Sequence, residues 1–131
     1  MFSNLALFES QKIFELVIDF FNKPDKKMKV IEIASNDGTF LRPFVGYGAS
    51  VIGIEPAKNL SDEANIQGIP TINSFFSESL AIELLNKYGA QDVVTRRFRE
   101  LGSFFHFRGV AYDCFDFCFF FCFLSCLLDH V

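Results

Sequence analysis

Lys29-Val30-Ile31-Glu32-Ile33-Ala34-Ser35-Asn36-Asp37-Gly38 decides how this chain is read, together with its echo further on, Ser50-Val51-Ile52-Gly53-Ile54-Glu55. Each begins as a short β-branched run without polar alternation, the mark of a strand buried on both faces. Each closes on a carboxylate and then turns. Upstream, Leu5, Phe8, Ile13, Leu16, Val17, Phe20 and Phe21 recur at three- and four-residue steps with Glu9, Lys12, Glu15 and Asp19 between them, which predicts an amphipathic helix from Leu5 to Phe21. Asn22-Lys23-Pro24-Asp25 breaks it. Between the two runs, Phe40, Leu41, Phe44 and Val45 predict a short helix over Thr39 to Tyr47, bent or shortened by Pro43 and closed by Gly46 or Gly48. The cycle continues with a turn from Pro56 to Leu60, a helix from Ser61 to Gln67 stopped by Gly68, and a third strand from Ile69 to Asn73. Ser77 is a natural N-cap for a helix whose apolar face is Leu80, Ala81, Leu84, Leu85 and Tyr88, with Gly89 as its stop. Asp92-Val93-Val94-Thr95 makes a fourth strand. Strands separated by helices with short connections imply right-handed crossovers and a parallel sheet, so the fold class is α/β, a doubly wound Rossmann-like domain.

The length, 131 residues, suits one domain, and a chain half apolar and about one-fifth charged can build a core. The net charge is -4, and no basic run exceeds Lys26-Lys27, which argues against nucleic acid as the partner and favours a small molecule or a protein. Composition changes near Thr95. Of the 19 Phe, ten fall in residues 96–131, and all four Cys lie there as well. The longest uncharged run, Phe117 to Leu128, is 12 residues, against the roughly 20 that a spanning helix needs. The start lacks the basic region of a secretory signal, so a cytoplasmic protein with reduced thiols is expected.

In doubly wound sheets ligands bind outside the carboxyl ends of the strands, beside the first strand, so the turns after Ile33 and Glu55 carry the chemistry. Glu32, closing the first strand, and the loop Ser35-Asn36-Asp37-Gly38 together offer backbone N–H groups, a permissive Gly and carboxylates to one ligand. Glu55 follows Glu32 by 55 − 32 = 23 residues, close to the spacing at which an acidic side chain meets ribose hydroxyls. Taken singly, Glu32 and Asp37 equally suit a helix N-terminus, and Glu55 a solvated strand end. A dinucleotide would need G-x-G-x-x-G after the first strand, and Gly38 is the only Gly in that turn. A ligand with ribose and adenine but without phosphate, S-adenosylmethionine, fits better.

Residues 31–41 with Gly53-Ile54-Glu55-Pro56-Ala57-Lys58-Asn59-Leu60 resemble the class I S-adenosylmethionine-dependent methyltransferases, and among them most closely the sugar C-methyltransferases. The resemblance runs over about residues 28–95. It implies that Glu32, Ser35, Asn36, Asp37 and Gly38 surround the methionine part of the cofactor, that Glu55 holds the ribose, and that Pro56 with Phe76 borders the adenine. Ala34 stands where the family often has Gly. After Thr95 the family's Asn-rich turn and His are replaced by Arg96-Arg97-Phe98-Arg99. Ser103-Phe104-Phe105 and Gly109-Val110-Ala111-Tyr112 look like pieces of the family's next helix. His106 is then the one weak catalytic candidate, a lone His being more often structural.

Cys114, Cys118, Cys122 and Cys126 recur every fourth residue. On a helix they would spread over about 18 Å, too far for one tetrahedral zinc, and no metal site is expected. The expected organisation is a core over residues 1–112 and a Phe/Cys-rich tail over 113–131, the latter a last strand or helix pressed on the core around Phe115 to Phe123. A truncated or frameshifted methyltransferase gene would produce this loss of pattern. The functional expectation is therefore a methyltransferase core acting on a small molecule, a nucleotide-linked keto-sugar. The alternative is an inactive fragment or interaction module whose Phe-rich tail packs on a protein partner or a second copy.

Overall fold

The computed structural model describes residues 4–20, 27–98, 102–107 and 110–111. Helix α1, Asn4–Phe20, precedes strand β1, Lys29–Ile33; a 3-10 turn, Thr39–Leu41, runs into α2, Arg42–Tyr47. Then follow β2, Ser50–Ile54; α3, Lys58–Ile66; β3, Thr71–Ile72; α4, Glu78–Tyr88; β4, Val93–Phe98; β5, Gly102–Phe107; and β6, Val110–Ala111. They form one sheet in the order β3-β2-β1-β4-β5-β6, whose first four strands are parallel.

Neighbouring residues of the central strands point to opposite faces, and this is what winds the domain on two sides. Val30, Val51 and Val93 join Val17, Met28, Phe40, Leu41, Phe44, Ala64 and Ile69 under α1, α2 and α3. Ile31, Ile52 and Val94 join Ile33, Ile54 and Leu84 under α4. The strands are therefore apolar on both faces, as their unalternating sequence requires. Helix α1 is seated on the first face by the Phe14 ring, edge-on to Phe44 at 5.1 Å. The buried Ser10 hydroxyl, 3.2 Å from the Thr39 and Phe40 carbonyls, ties α1 to the 3-10 turn.

Several boundaries move, each for a local reason. Pro43 lies in the first turn of α2, where its missing N–H costs nothing, and Gly48, at φ 95°, is the residue that closes the helix. Helix α3 begins at Lys58, directly after Ala57 in extended conformation, instead of at Ser61. The third strand shrinks to Thr71–Ile72, because Ile69 N–H still bonds the helical Ala64 carbonyl and the chain turns at Ser74, whose N–H returns to Ile72 O. Helix α4 has the expected Ser77 cap, whose Oγ accepts from Leu80 N–H, and the expected Gly89 stop.

The larger departure follows β4. Gly102–Phe107 and Val110–Ala111 are strands, antiparallel to β4 and β5 respectively, where helical fragments were expected. Three residues separate β4 from β5, and a parallel return needs a dozen or more, so the chain can only fold back as a hairpin. The expected tail element around Phe115 to Phe123, the Cys row and the 113–131 segment lie outside the described residues. Among the described residues, no helix is long and apolar enough to cross a membrane.

Candidate functional site

The loops after β1, β2 and β3 meet at the carboxyl ends of these strands, where β1 lies between β2 and β4 and the chain order reverses. The loop after β1 has an unusual backbone: Ala34, Asn36 and Gly38 adopt φ 59°, 52° and 81°, every second residue left-handed. Only Gly takes this region at little cost, Asn tolerates it, and Ala is strained there. The loop is held from within by Gly38 N–H to Ser35 O at 3.0 Å, and from below by Ser35 N–H to Ile54 O at 3.2 Å.

Glu55 fixes the loop from the side. Its carboxylate is only 5% exposed; Oε2 accepts the Asn36 N–H at 2.8 Å and Oε1 accepts the Ala57 N–H at 2.9 Å. One side chain at the end of β2 thus binds the β1 loop and its own loop together. Each carboxylate oxygen offers two acceptor positions, so the two N–H groups leave acceptor capacity for a diol. Asn73, just past β3, completes the lacing: its Nδ2 donates to Glu55 O at 3.0 Å and to Pro56 O at 2.9 Å.

Beneath the loop, space is rationed by two glycines. A Cβ on Gly53 would lie 2.5 Å from Ser35 Oγ and 2.8 Å from Thr71 Oγ1, and one on Gly38 would lie 2.7 Å from Ile69 Cδ1. Glu32 is buried, in register between Gly53 of β2 and Thr95 of β4. Ser35 is 2% exposed, and among the described residues its hydroxyl has no hydrogen-bond partner, which is uncommon for a buried polar atom and suits a site that receives a polar ligand.

The structure thus brings Glu32, Ser35, Asn36, Asp37, Gly38, Glu55 and Pro56 to one end of the sheet. Asp37 also caps: its Oδ1 accepts from Thr39 N at 3.2 Å and from Thr39 Oγ1 at 2.8 Å, fixing the 3-10 turn. Pro56 is exposed beside Glu55, whereas Phe76 packs against the apolar cluster under α4. His106 falls on β5 opposite Val94, which is level with Ile31, two residues short of the end of β1. Sequence reasoning did not single out Gly53, Thr71 or Asn73 for the site. A Gly inside a β-branched strand was the available signal, since it marks close approach of another group.

This strand order, with helices on both faces and a left-handed loop latched by a strand-end carboxylate, defines a Rossmann-like α/β domain. The chain is 31% identical over 87 residues, 66% of its length, to C-methyltransferase NovU of Streptomyces niveus, and covers 20% of that protein. Among solved structures, it is similar in fold to the SAM-dependent methyltransferase from Agrobacterium tumefaciens, with a TM-score of 0.53 and 16% identity, covering 66% of this chain and 30% of that one. The chain therefore spans about a fifth of the curated relative and under a third of the structural one. No protein-family model matches it.

Proposed function

We propose that the described domain is the donor-binding core of an S-adenosylmethionine-dependent methyltransferase, and that the reaction it serves is C-methylation of a nucleotide-linked keto-sugar. The observation that carries the first part is the Glu55 carboxylate, buried at the end of β2 and joined to the left-handed loop at Asn36 N. It would accept hydrogen bonds from the two ribose hydroxyls while keeping the methionine-side loop in register. Glu32, Ser35, Asn36, Asp37 and Gly38 would hold the amino-acid end, and Pro56 with the loop that carries Phe76 would border the base. The buried Ser35 hydroxyl suits such a ligand as a polar contact, and the bare Cα of Gly53 gives the Ser35 side chain the room it occupies. The bound donor supplies an already activated methyl group, so the protein's remaining tasks are to orient an acceptor carbon and to remove its proton.

The C-methylation reading is supported by the likeness to a C-methyltransferase, and the sugar acceptor by the motif resemblance alone. Arg96, Arg97 and Arg99 suit a diphosphate but are poor bases, because guanidinium stays protonated. His106 is the imidazole to test as base. Calorimetry with S-adenosylhomocysteine tests the donor reading: saturable heat at one site supports it, and no heat at high protein concentration overturns it.

A further inference from the structure

Strand β3 is an outer edge of the sheet, and its backbone is closed there by a side chain. Gly53 N–H donates to Pro70 O at 2.8 Å and Glu55 N–H to Ile72 O at 3.0 Å, so the carbonyls on either side of Thr71 turn inward to β2. In a parallel ladder the residue between them turns its own N–H and C=O outward. Both of those groups meet the Asn65 amide: Oδ1 accepts Thr71 N–H and Nδ2 donates to Thr71 O, each at 2.9 Å. Asn65 Nδ2 also donates to Ser61 O at 3.0 Å, one turn back in α3, which holds the amide in place. The flanking positions are closed as well. Ile69 N–H bonds Ala64 O, Ile69 O accepts from Thr71 Oγ1, and Pro70 has no N–H.

We propose that Asn65 is the edge guard of the sheet: its amide takes the place of a further strand at Thr71 and keeps a second copy of this chain from adding to β3. A sheet edge is a template for pairing, and charged side chains are the common means of blunting it. Charge is missing here, since no residue from Ala64 to Ser77 is acidic or basic. Within the same stretch Ile66 is 86% and Phe75 78% exposed, so the residues beside the guard and just past the strand favour contact with another apolar surface. The partner that fits is the same edge of another copy. Running antiparallel about Thr71, two copies exchange a pair of N–H···O bonds between their Thr71 residues in a two-fold contact.

Asn65→Ala in the full-length protein opens the edge. Its weight-average mass, read by analytical ultracentrifugation, should climb with concentration towards twice that of the parent at the same concentration, and amide exchange over residues 69–73 should slow as the mass rises. Adding Thr71→Pro removes the outward N–H, leaves the bonds from Pro70 and Ile72 to β2 in place, and should return the mass to the parent's. In the parent, Thr71 N–H should exchange at least ~10-fold more slowly than an unbonded amide, a measurement that depends on no variant folding. Parent-like mass in Asn65→Ala at every concentration, a rising mass with no slowing over 69–73, association that survives Thr71→Pro, or an unprotected Thr71 amide in the parent each overturns the guard.

Discussion

Because the two carboxylate oxygens of Glu55 each accept a backbone N–H from a different loop, removing them acts before any ligand is added. Glu55→Ala removes the charged acceptor of the part-buried Asn36 and Ala57 N–H groups, so the ligand-free protein should lose about 1–3 kcal/mol of stability, and S-adenosylhomocysteine should bind more weakly as well. Thermal melts and calorimetry read the two effects separately; an unchanged melt would show that the latch contributes nothing to the fold. At Ala34 the sign reverses. A left-handed L-residue costs roughly 1–2 kcal/mol and Gly adds about 0.5–1 kcal/mol of backbone entropy, so Ala34→Gly should raise stability by up to about 1 kcal/mol, seen as a higher denaturant midpoint. Gly53→Ala must displace Ser35 and Thr71 side chains and should cost about 1–3 kcal/mol by the same assay. At this scale the sequence was only half legible. Glu32, Glu55 and Gly38 announce themselves through residue type and spacing, and Asn36 is a residue that tolerates the left-handed region. Ala34 carries no such signal in its own residue type; only the resemblance, in which Gly often stands there, hints at the left-handed backbone.

Among the elements, α1 is joined to the candidate site through one hydroxyl. Ser10 lies 29 residues before Thr39, yet its Oγ reaches the carbonyls of Thr39 and Phe40 in the turn that Asp37 caps. Ser10→Ala leaves those carbonyls without their side-chain donor and should destabilise the domain by about 1–2 kcal/mol, with hydrogen exchange rising first in the 3-10 turn and α2. Protection unchanged in these segments would mean that α1 packs there through its rings alone. The existence and order of the first four strands and the helices between them were readable, because period and punctuation act locally. The hairpin after β4 was not, since Ser103, Phe104 and Phe105 suit either a helix or a strand and the short connection, rather than composition, decides. The two-residue extent of β3 escaped for a related reason: Ile69 looks like a strand residue, but its N–H belongs to the end of α3.

For the molecule as a whole, the described residues gather far more of the proposed donor site than of any acceptor site. The carboxyl ends of β1, β2 and β3 carry an ordered set of acceptors and donors, whereas the residue expected to move a proton, His106, lies on a hairpin strand opposite the middle of β1's level in the sheet. We expect this chain alone to bind S-adenosylhomocysteine but to give little or no multiple-turnover product with labelled donor and a panel of nucleotide-linked keto-sugars; robust turnover abolished by His106→Ala would reverse that expectation. The sheet order has another consequence, for biosynthesis. Strand β1 pairs on one side with β2, which follows closely, and on the other with β4, which ends at Phe98. At about 5–20 residues per second, the ribosome needs roughly two to nine seconds to pass from Ile54 to Phe98. Through that interval the nascent chain exposes a bare edge of Val30, Ile31 and Ile33, with Ile31 and Ile33 uncovered until α4 arrives, a template that neighbouring nascent chains can pair with and that chaperones must shield.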